Sequence, residues 1–309
     1  MKILIQLPEG LKNKAHEYAN EWRKKGYEVI VSGSKSYGAC DVAYEEADAI
    51  GAEKIVHYGH APFPIYPVFK ERYRHIDVEY VEYTLHLSEE DIIRITDFVR
   101  SEGYKKPILS TTIQYVHDLP KLSERMSLMG MTPLLGRGIR TVYPGQVLGC
   151  DTWAVKQFKD KGDVVLFIGG GRFHYLVLDA GLPVLVYNPG TKEVKDVSDD
   201  VRNYRKKREA SVVRASEGES FGILVSTRAG QFNPDVANEI QKRLINSGKR
   251  AEILVSREVD FEALQDFNLF DAFINTACPR IADDWKRIGK PIVNIDELEL
   301  FFRLLNESG

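Results

Sequence analysis

Short apolar runs at 2–7, 107–109 and 222–225 each give way to a polar turn. A stretch follows in which apolar side chains recur every three or four positions, at 11–25, 114–129 and 234–247. The runs fit buried strands, and the stretches fit helices that lay one face on a core. Each helical stretch stops beside a glycine, Gly26, Gly130 or Gly248, the residue that most easily closes a helix in the left-handed conformation. A second apolar run comes next in every case, at 28–31, 132–135 and 252–255. Strand, helix, strand written three times predicts an α/β protein with parallel sheets covered by helices. The expected architecture is three similar βαβ-type domains arranged around a pseudo-threefold centre.

Two polar openings divide the repeats. Ser88-Glu89-Glu90 and Ser198-Asp199-Asp200 each look like the capped start of a helix that leads into the next unit. The predicted domains are therefore 1–87, 88–197 and 198–309, with Cys40, Cys150 and Cys278 falling one in each. The repeat includes the cysteines. Cys40 is followed by Tyr58-Gly59-His60-Ala61-Pro62-Phe63 and Cys150 by Ile168-Gly169-Gly170-Gly171-Arg172-Phe173, with identical cysteine-to-glycine and cysteine-to-phenylalanine offsets. The third copy departs, because Cys278 itself occupies the place of the glycine-rich loop.

Composition narrows the function. The 309 residues are 43% hydrophobic and 28% charged, with a net charge of -3, an ordinary balance for a globular protein. That charge argues against a nucleic-acid binder, which needs clustered Lys and Arg to neutralise phosphates. No apolar run has the length of a membrane span, and Pro8 interrupts the N-terminal apolar run too early for a signal peptide. A cytoplasmic protein is expected, with no membrane partner. Three widely separated cysteines make a poor disulfide framework and a better metal or catalytic set. Three unrelated buried thiols are the plain alternative.

Cys40 and Cys150 each follow a small residue and precede an aspartate suited to opening a helix. A helix N-terminus would stabilise the thiolate that a metal requires. Cys278 comes directly after the apolar run Ala272-Phe273-Ile274, so it should lie at the carboxyl end of a strand, the edge where ligands gather in open α/β sheets. Zinc sites are built from local cysteine pairs, which the chain lacks, although a Cys3His site recruiting His60 or His174 stays open. An iron–sulfur cubane asks for one thiolate per iron, so three cysteines would leave the fourth iron available to a small molecule.

Together with Leu7-Pro8-Glu9-Gly10-Leu11, the motifs Tyr37-Gly38-Ala39-Cys40-Asp41, Tyr58-Gly59-His60, Leu148-Gly149-Cys150-Asp151, Gly171-Arg172-Phe173-His174 and Thr276-Ala277-Cys278-Pro279-Arg280 resemble a known family. It is that of the first-step enzymes of diphthamide biosynthesis, the 2-(3-amino-3-carboxypropyl)histidine synthases of archaea. The resemblance runs the length of the chain. The segment Ser226-Thr227-Arg228-Ala229-Gly230-Gln231 follows only loosely the Gly/Gln-rich turn of eukaryotic relatives. The resemblance implies that Cys40, Cys150 and Cys278 hold a 4Fe-4S cluster whose open iron meets S-adenosylmethionine. It further implies cleavage between sulfur and the methionine γ-carbon, to give a 3-amino-3-carboxypropyl group of radical character. That group adds to C2 of a histidine imidazole on translation elongation factor 2. A homodimer and an external electron donor are implied as well. The alternative is a quinolinate-synthase-like lyase, which likewise places one cluster cysteine in each of three domains but joins small metabolites.

The remaining candidates each carry two readings. Gly169, Gly170 and Gly171 suit close approach to an anionic or ligand group, or simply a tight strand-to-helix turn. Gln6 and Glu9, at the end of the first strand, could meet the methionine moiety; Glu9 equally suits the first turn of a helix. Arg280 could pair with a substrate carboxylate or form a surface ion pair. His60 and His174 fall in matching loops and are weak candidates for ligands or proton carriers. The basic run 202–208 reads as a solvated helix face or as a docking site for an acidic patch.

Overall fold

A computed structural model describes residues 1–307. The first sheet is built from β1 (Lys2–Gln6), β2 (Glu28–Val31), β3 (Lys54–Tyr58) and β4 (Asp77–Val81). The second contains β5 (Pro107–Thr111), β6 (Val164–Ile168), β7 (Val184–Asn188) and β8 (Glu193–Asp196). The third contains β9 (Ser220–Ser226), β10 (Arg250–Ser256), β11 (Ala272–Asn275) and β12 (Ile292–Asn294). The first and third share one parallel order, β2-β1-β3-β4 and β10-β9-β11-β12. The second runs β5-β6-β7-β8, and its edge strand β8 is antiparallel.

Parallel strands covered on both faces need apolar residues at every position, and side chains alternate between faces. Along β6, Val164, Leu166 and Ile168 enter one core with Leu109 and Leu122, while Val165 and Phe167 enter another with Val155 and Leu178. The third sheet divides the same way. Ile223 and Val225 pack with Phe301 on one side, and Leu224 packs with Phe273 and Ile288 on the other.

The repeated helices form where expected, with a shared irregularity. The first two open as 3-10 turns, Glu9–Lys14 and Ile113–Asp118, before continuing as α-helices Ala15–Lys24 and Leu119–Leu128; the third is Pro234–Asn246. Gly26, Gly130 and Gly248 each take positive φ, at 88°, 81° and 75°, where a side chain would add strain. Ser88 caps helix Glu89–Ser101 through a reciprocal capping box with Asp91. One strand expectation fails. The run at 132–135 contributes only a bridge, Leu134 to Ile108, in which the Thr132 and Leu134 amides donate to the Lys105 and Pro107 carbonyls and the Leu134 carbonyl accepts from the Leu109 amide, with Pro133 on the unpaired outer edge.

The chain divides into two compact units, one of 1–64 with 72–204, the other of 65–71 with 205–309. The first unit holds the first two sheets and the second holds the third. The segment Ile65–Glu71 thus packs with residues far along the chain, where a linear division at 87 and 197 would leave it with the first domain. Within the second unit Tyr66 donates its backbone N–H to the Ala229 carbonyl, and Phe69 meets Phe232 edge to face. No helix among the described residues is long and apolar enough to cross a membrane.

Candidate functional site

Cys40 lies at the carboxyl edge of the first sheet, half-buried, in a turn closed by the Asp41 amide donating to the Gly38 carbonyl at 2.9 Å. Helix Tyr44–Ala49 begins four residues later, with Ala43 at its N-cap position, so the thiol precedes the helix instead of sitting at its terminus. The turn is held by Gln6, which is buried at the end of β1. Its Nε2 donates to the Asp41 carbonyl at 2.6 Å, and its Oε1 accepts from the Ala43 amide at 3.1 Å. The same Oε1 lies 2.8 Å from His57 Nδ1, and His57 Nε2 lies 2.9 Å from His60 Nδ1. A Cβ placed on Gly38 would be 3.8 Å from Cys40 Sγ and 4.0 Å from His60 Nε2, so thiol and imidazole flank one small residue. Burial, with His60 beside it, drops His57 to about 3; burial drops His60 to about 4 against a bond to the Tyr58 carbonyl. Both rings are neutral at physiological pH. Burial likewise pushes the Tyr80 hydroxyl up, with Tyr44 and then Cys40 adding to the effect.

Cys150 occupies the corresponding edge of the second sheet. Leu148 and Asp151 exchange two backbone hydrogen bonds of 3.0 Å around Gly149-Cys150, and the Val147 amide donates to the Thr111 carbonyl at 2.8 Å. Asp151 fixes both flanks: Oδ1 accepts from the Trp153 amide at 3.1 Å, and Oδ2 accepts from the Arg140 amide at 2.5 Å. The first bond ties the turn to the short helix Trp153–Lys156. Gly149 is required by contact, since a Cβ there would stand 2.0 Å from Phe173 Cε1. The phenylalanine found at the repeated offset from each cysteine thus covers the backbone next to Cys150. Its neighbour His174 stacks 6.4 Å from Phe167 and meets Phe173 at 5.5 Å.

Cys278 lies just past the carboxyl end of β11, where the sequence places it, as the residue before the 3-10 turn Pro279–Asp284. Its carbonyl accepts from Asn275 Nδ2 at 2.8 Å and from the Ile281 amide at 3.0 Å. Asn275 also donates to Asn294 Oδ1 at 2.8 Å, and Asn294 donates to the Pro279 carbonyl at 3.2 Å. Burial pushes the thiol up, against the Arg280 amide and the guanidinium charges of Arg280 and Arg228, which favour the thiolate.

Within the first unit the sheet-edge loops meet. Ala61, after β3, packs with Ile113 and Val116, after β5, and with Tyr143; the Arg140 guanidinium sits 5.9 Å from the Phe63 ring. Cys40 and Cys150 both belong to the first unit, whereas Cys278 belongs to the second. Each thiol is half-buried, flanked by small residues or backbone amides, and lies at the edge of its own sheet, a donor set suited to soft metal ions. Among the described residues no three His, Cys, Asp or Glu side chains gather tightly enough to grip one metal ion. A cubane asks for something else, a thiolate at each of several separate irons.

The other predicted residues take varied places. Glu9 is exposed in the first turn of its 3-10 segment and pairs with Lys12 at 2.8 Å. Gly169 is buried and its amide donates to the Tyr187 carbonyl, while Gly170 and Gly171 are exposed and lead into helix Arg172–Leu176. Arg280 is exposed beside Cys278. The basic run is not a uniform solvated face, because Arg208 is buried against Glu297 and two carbonyls. His57, Asn275, Asn294 and Arg228 escape the sequence reading. His57 carries the one usable signal, a polar residue directly after the apolar pair Ile55-Val56 of β3.

The chain matches the model of the family described as putative diphthamide synthesis protein over residues 7–308. It is 33% identical over 314 residues to 2-(3-amino-3-carboxypropyl)histidine synthase of Pyrococcus horikoshii, spanning 99% of this chain and 87% of that one. Against subunit 1 of the same-named synthase of Saccharomyces cerevisiae it is 28% identical, spanning 98% and 71%. A crystal structure of Dph2 from Pyrococcus horikoshii with a 4Fe-4S cluster superposes with a TM-score of 0.84 at 31% identity, covering 98% of this chain and 86% of that one.

Proposed function

We propose, since this chain belongs to the diphthamide synthesis family, that it transfers the 3-amino-3-carboxypropyl group of S-adenosylmethionine to C2 of a histidine in translation elongation factor 2. The protein is a transferase of the kind its relatives are named for, and it works with a 4Fe-4S cluster. One observation carries the assignment of ligands: each of the three cysteines sits at the carboxyl edge of a different sheet, the place where open α/β sheets bind ligands. Cys40, Cys150 and Cys278 supply three thiolates, and three thiolates leave one iron of a cubane for a small molecule.

A bound, reduced cluster would supply the electron that breaks the bond between sulfur and the γ-carbon. Methylthioadenosine would leave, the carbon radical would add to C2 of the imidazole, and the adduct would give up the C2 proton to solvent and one electron back to the cluster or its electron carrier. The chain's residues hold the reactants. Arg280 and Arg228 offset the charge of a thiolate at Cys278 and suit the cosubstrate carboxylate. The exposed Gly170 and Gly171 offer a side-chain-free approach to the ligand. The working form is a cytoplasmic homodimer served by an external electron donor.

The test is anaerobic reduction of iron-reconstituted protein with S-adenosylmethionine and elongation factor 2. Methylthioadenosine should appear together with a matching mass gain on the factor. A preparation that carries iron and sulfide yet yields neither product refutes the assignment. Each single Cys→Ala variant should lose cluster and turnover together; a variant that keeps both removes that residue from the ligand set.

A further inference from the structure

The chain Gln6–His57–His60 is buried behind Cys40, and its hydrogen bonds fix more than position. Gln6 faces a carbonyl with one end of its amide and a backbone N–H with the other, so the oxygen must be the end near Ala43 and His57. An oxygen can only accept, so the His57 Nδ1 that lies 2.8 Å away carries the proton. His57 is fully buried among the Gln6 amide, the His60 ring and the Tyr80 ring, surroundings that keep it neutral; its Nε2 is therefore a lone pair. The partner 2.9 Å from that lone pair, His60 Nδ1, must then be the donor. Neutral His60 is left with an unprotonated Nε2 on the side of the ring shared with Gly38 and the Cys40 thiol.

We propose that His60 Nε2 is a hydrogen-bond acceptor for the ammonium group of the cosubstrate, set in that tautomer by Gln6 and His57. The inference rests on S-adenosylmethionine being the cosubstrate. A lone pair held in this way repels a carboxylate and attracts an N–H donor. A charged ammonium gives a stronger bond than a neutral donor and does not require the imidazole to take up a proton. Gln6 and His57 are positioning residues in this scheme, since neither reaches the ligand.

The experiment compares, on the cluster-loaded protein without oxygen, the affinity for S-adenosylmethionine with that for its deaminated analogue, which lacks only the ammonium. Hydrogen bonds to charged groups are worth about 1.5–3 kcal/mol, so the natural compound should bind about 10- to 150-fold tighter. His60→Phe should abolish the preference by weakening only the natural compound, and His60→Gln, whose amide reaches the Nε2 position, should restore part of it. Gln6→Leu should also erode the preference, because His57 is then released to reverse the tautomer. Iron and sulfide content, measured on every variant, separates loss of cluster from loss of the contact. If a variant does not hold the cluster, histidine 15N spectra of the oxidised wild-type protein decide, and they should show a pyridine-type Nε2 and a pyrrole-type Nδ1 for His60. No preference in the wild type, an unchanged preference in cluster-loaded His60→Phe, or a pyrrole-type Nε2 overturns the proposal. Failure of the wild type to bind S-adenosylmethionine at all refutes the proposed function too, whereas binding without preference leaves that function standing.

Discussion

Gly149→Ala is the sharpest probe of how the Cys150 turn is held. The added Cβ would stand 2.0 Å from Cε1 and 2.1 Å from Cζ of Phe173, and non-bonded carbons settle at about 3.5–4.0 Å. Ring or turn must therefore move by about 1.5–2 Å. Gly149 is not among the glycines with positive φ, so alanine meets no backbone strain and the whole effect is this one contact. Overpacking of this kind costs about 1–3 kcal/mol, and for a unit of this size each kcal/mol lowers Tm by about 2–4 °C. Circular dichroism melts should thus fall by about 2–12 °C, and iron retained after gel filtration should fall with them. Phe173→Ala in the Gly149→Ala background removes the obstacle, so the double variant should be more stable than the two single losses added together. A neutral Gly149→Ala, or a double variant whose losses simply add, refutes the account of Phe173 as the cover of this turn.

Three further expectations concern stability. Asp91 is buried and accepts from Tyr187, Lys192 and the Ser88 amide; burial opposes its charge, but these bonds hold the carboxyl below its usual range. Its stabilisation is complete above the unfolded pKa near 3.8 and is lost as pH falls further, so Asp91→Asn should melt lower at neutral pH and show a flatter acid limb. His57, held at about 3 against 6.5 unfolded, has the same sign: stability falls as pH drops below 6.5. By about pH 4.5 the cost is about 2–3 kcal/mol, which a pH series of melts on His57→Gln should show as missing. Arg208→Met leaves the half-buried Glu297 without its bidentate partner and removes one donor each from the Ala282 and Ile292 carbonyls. Loss of about 3–5 kcal/mol is expected in denaturant melts, with Arg208→Lys intermediate.

The repeat was legible because period and punctuation agree in each copy: apolar runs, amphipathic stretch, and a glycine at positive φ in Gly26, Gly130 and Gly248. Cys278 was placed well because Ala272-Phe273-Ile274 is too apolar for anything but a covered strand. The run at 132–135 does pair beside β5, through Thr132 and Leu134, but too briefly to form a full strand. The helix after Cys40 starts only at Tyr44, later than Asp41 suggests, whereas Asp151 does meet a helix start, accepting from the Trp153 amide that opens Trp153–Lys156. The supports of the cysteine loops were hidden for a different reason. Gln6 meets Asp41 and Asn275 meets Asn294 only once the strands are laid side by side, and no spacing along the chain announces such pairs.

The segment Ile65–Glu71 has a consequence for how the protein is made. It leaves the ribosome early, yet Ala229, Phe232 and Asp235, against which Tyr66 and Phe69 settle, are encoded far downstream. At about 5–20 residues per second, Phe69 waits on the order of 10–30 s before its partner ring exists. For that interval Tyr66, Val68 and Phe69 form a sticky tract on a nascent chain whose first sheet is already complete. A holdase that captures apolar tracts should therefore engage this polypeptide at one defined stage of synthesis, after β4 emerges and before Phe232 does.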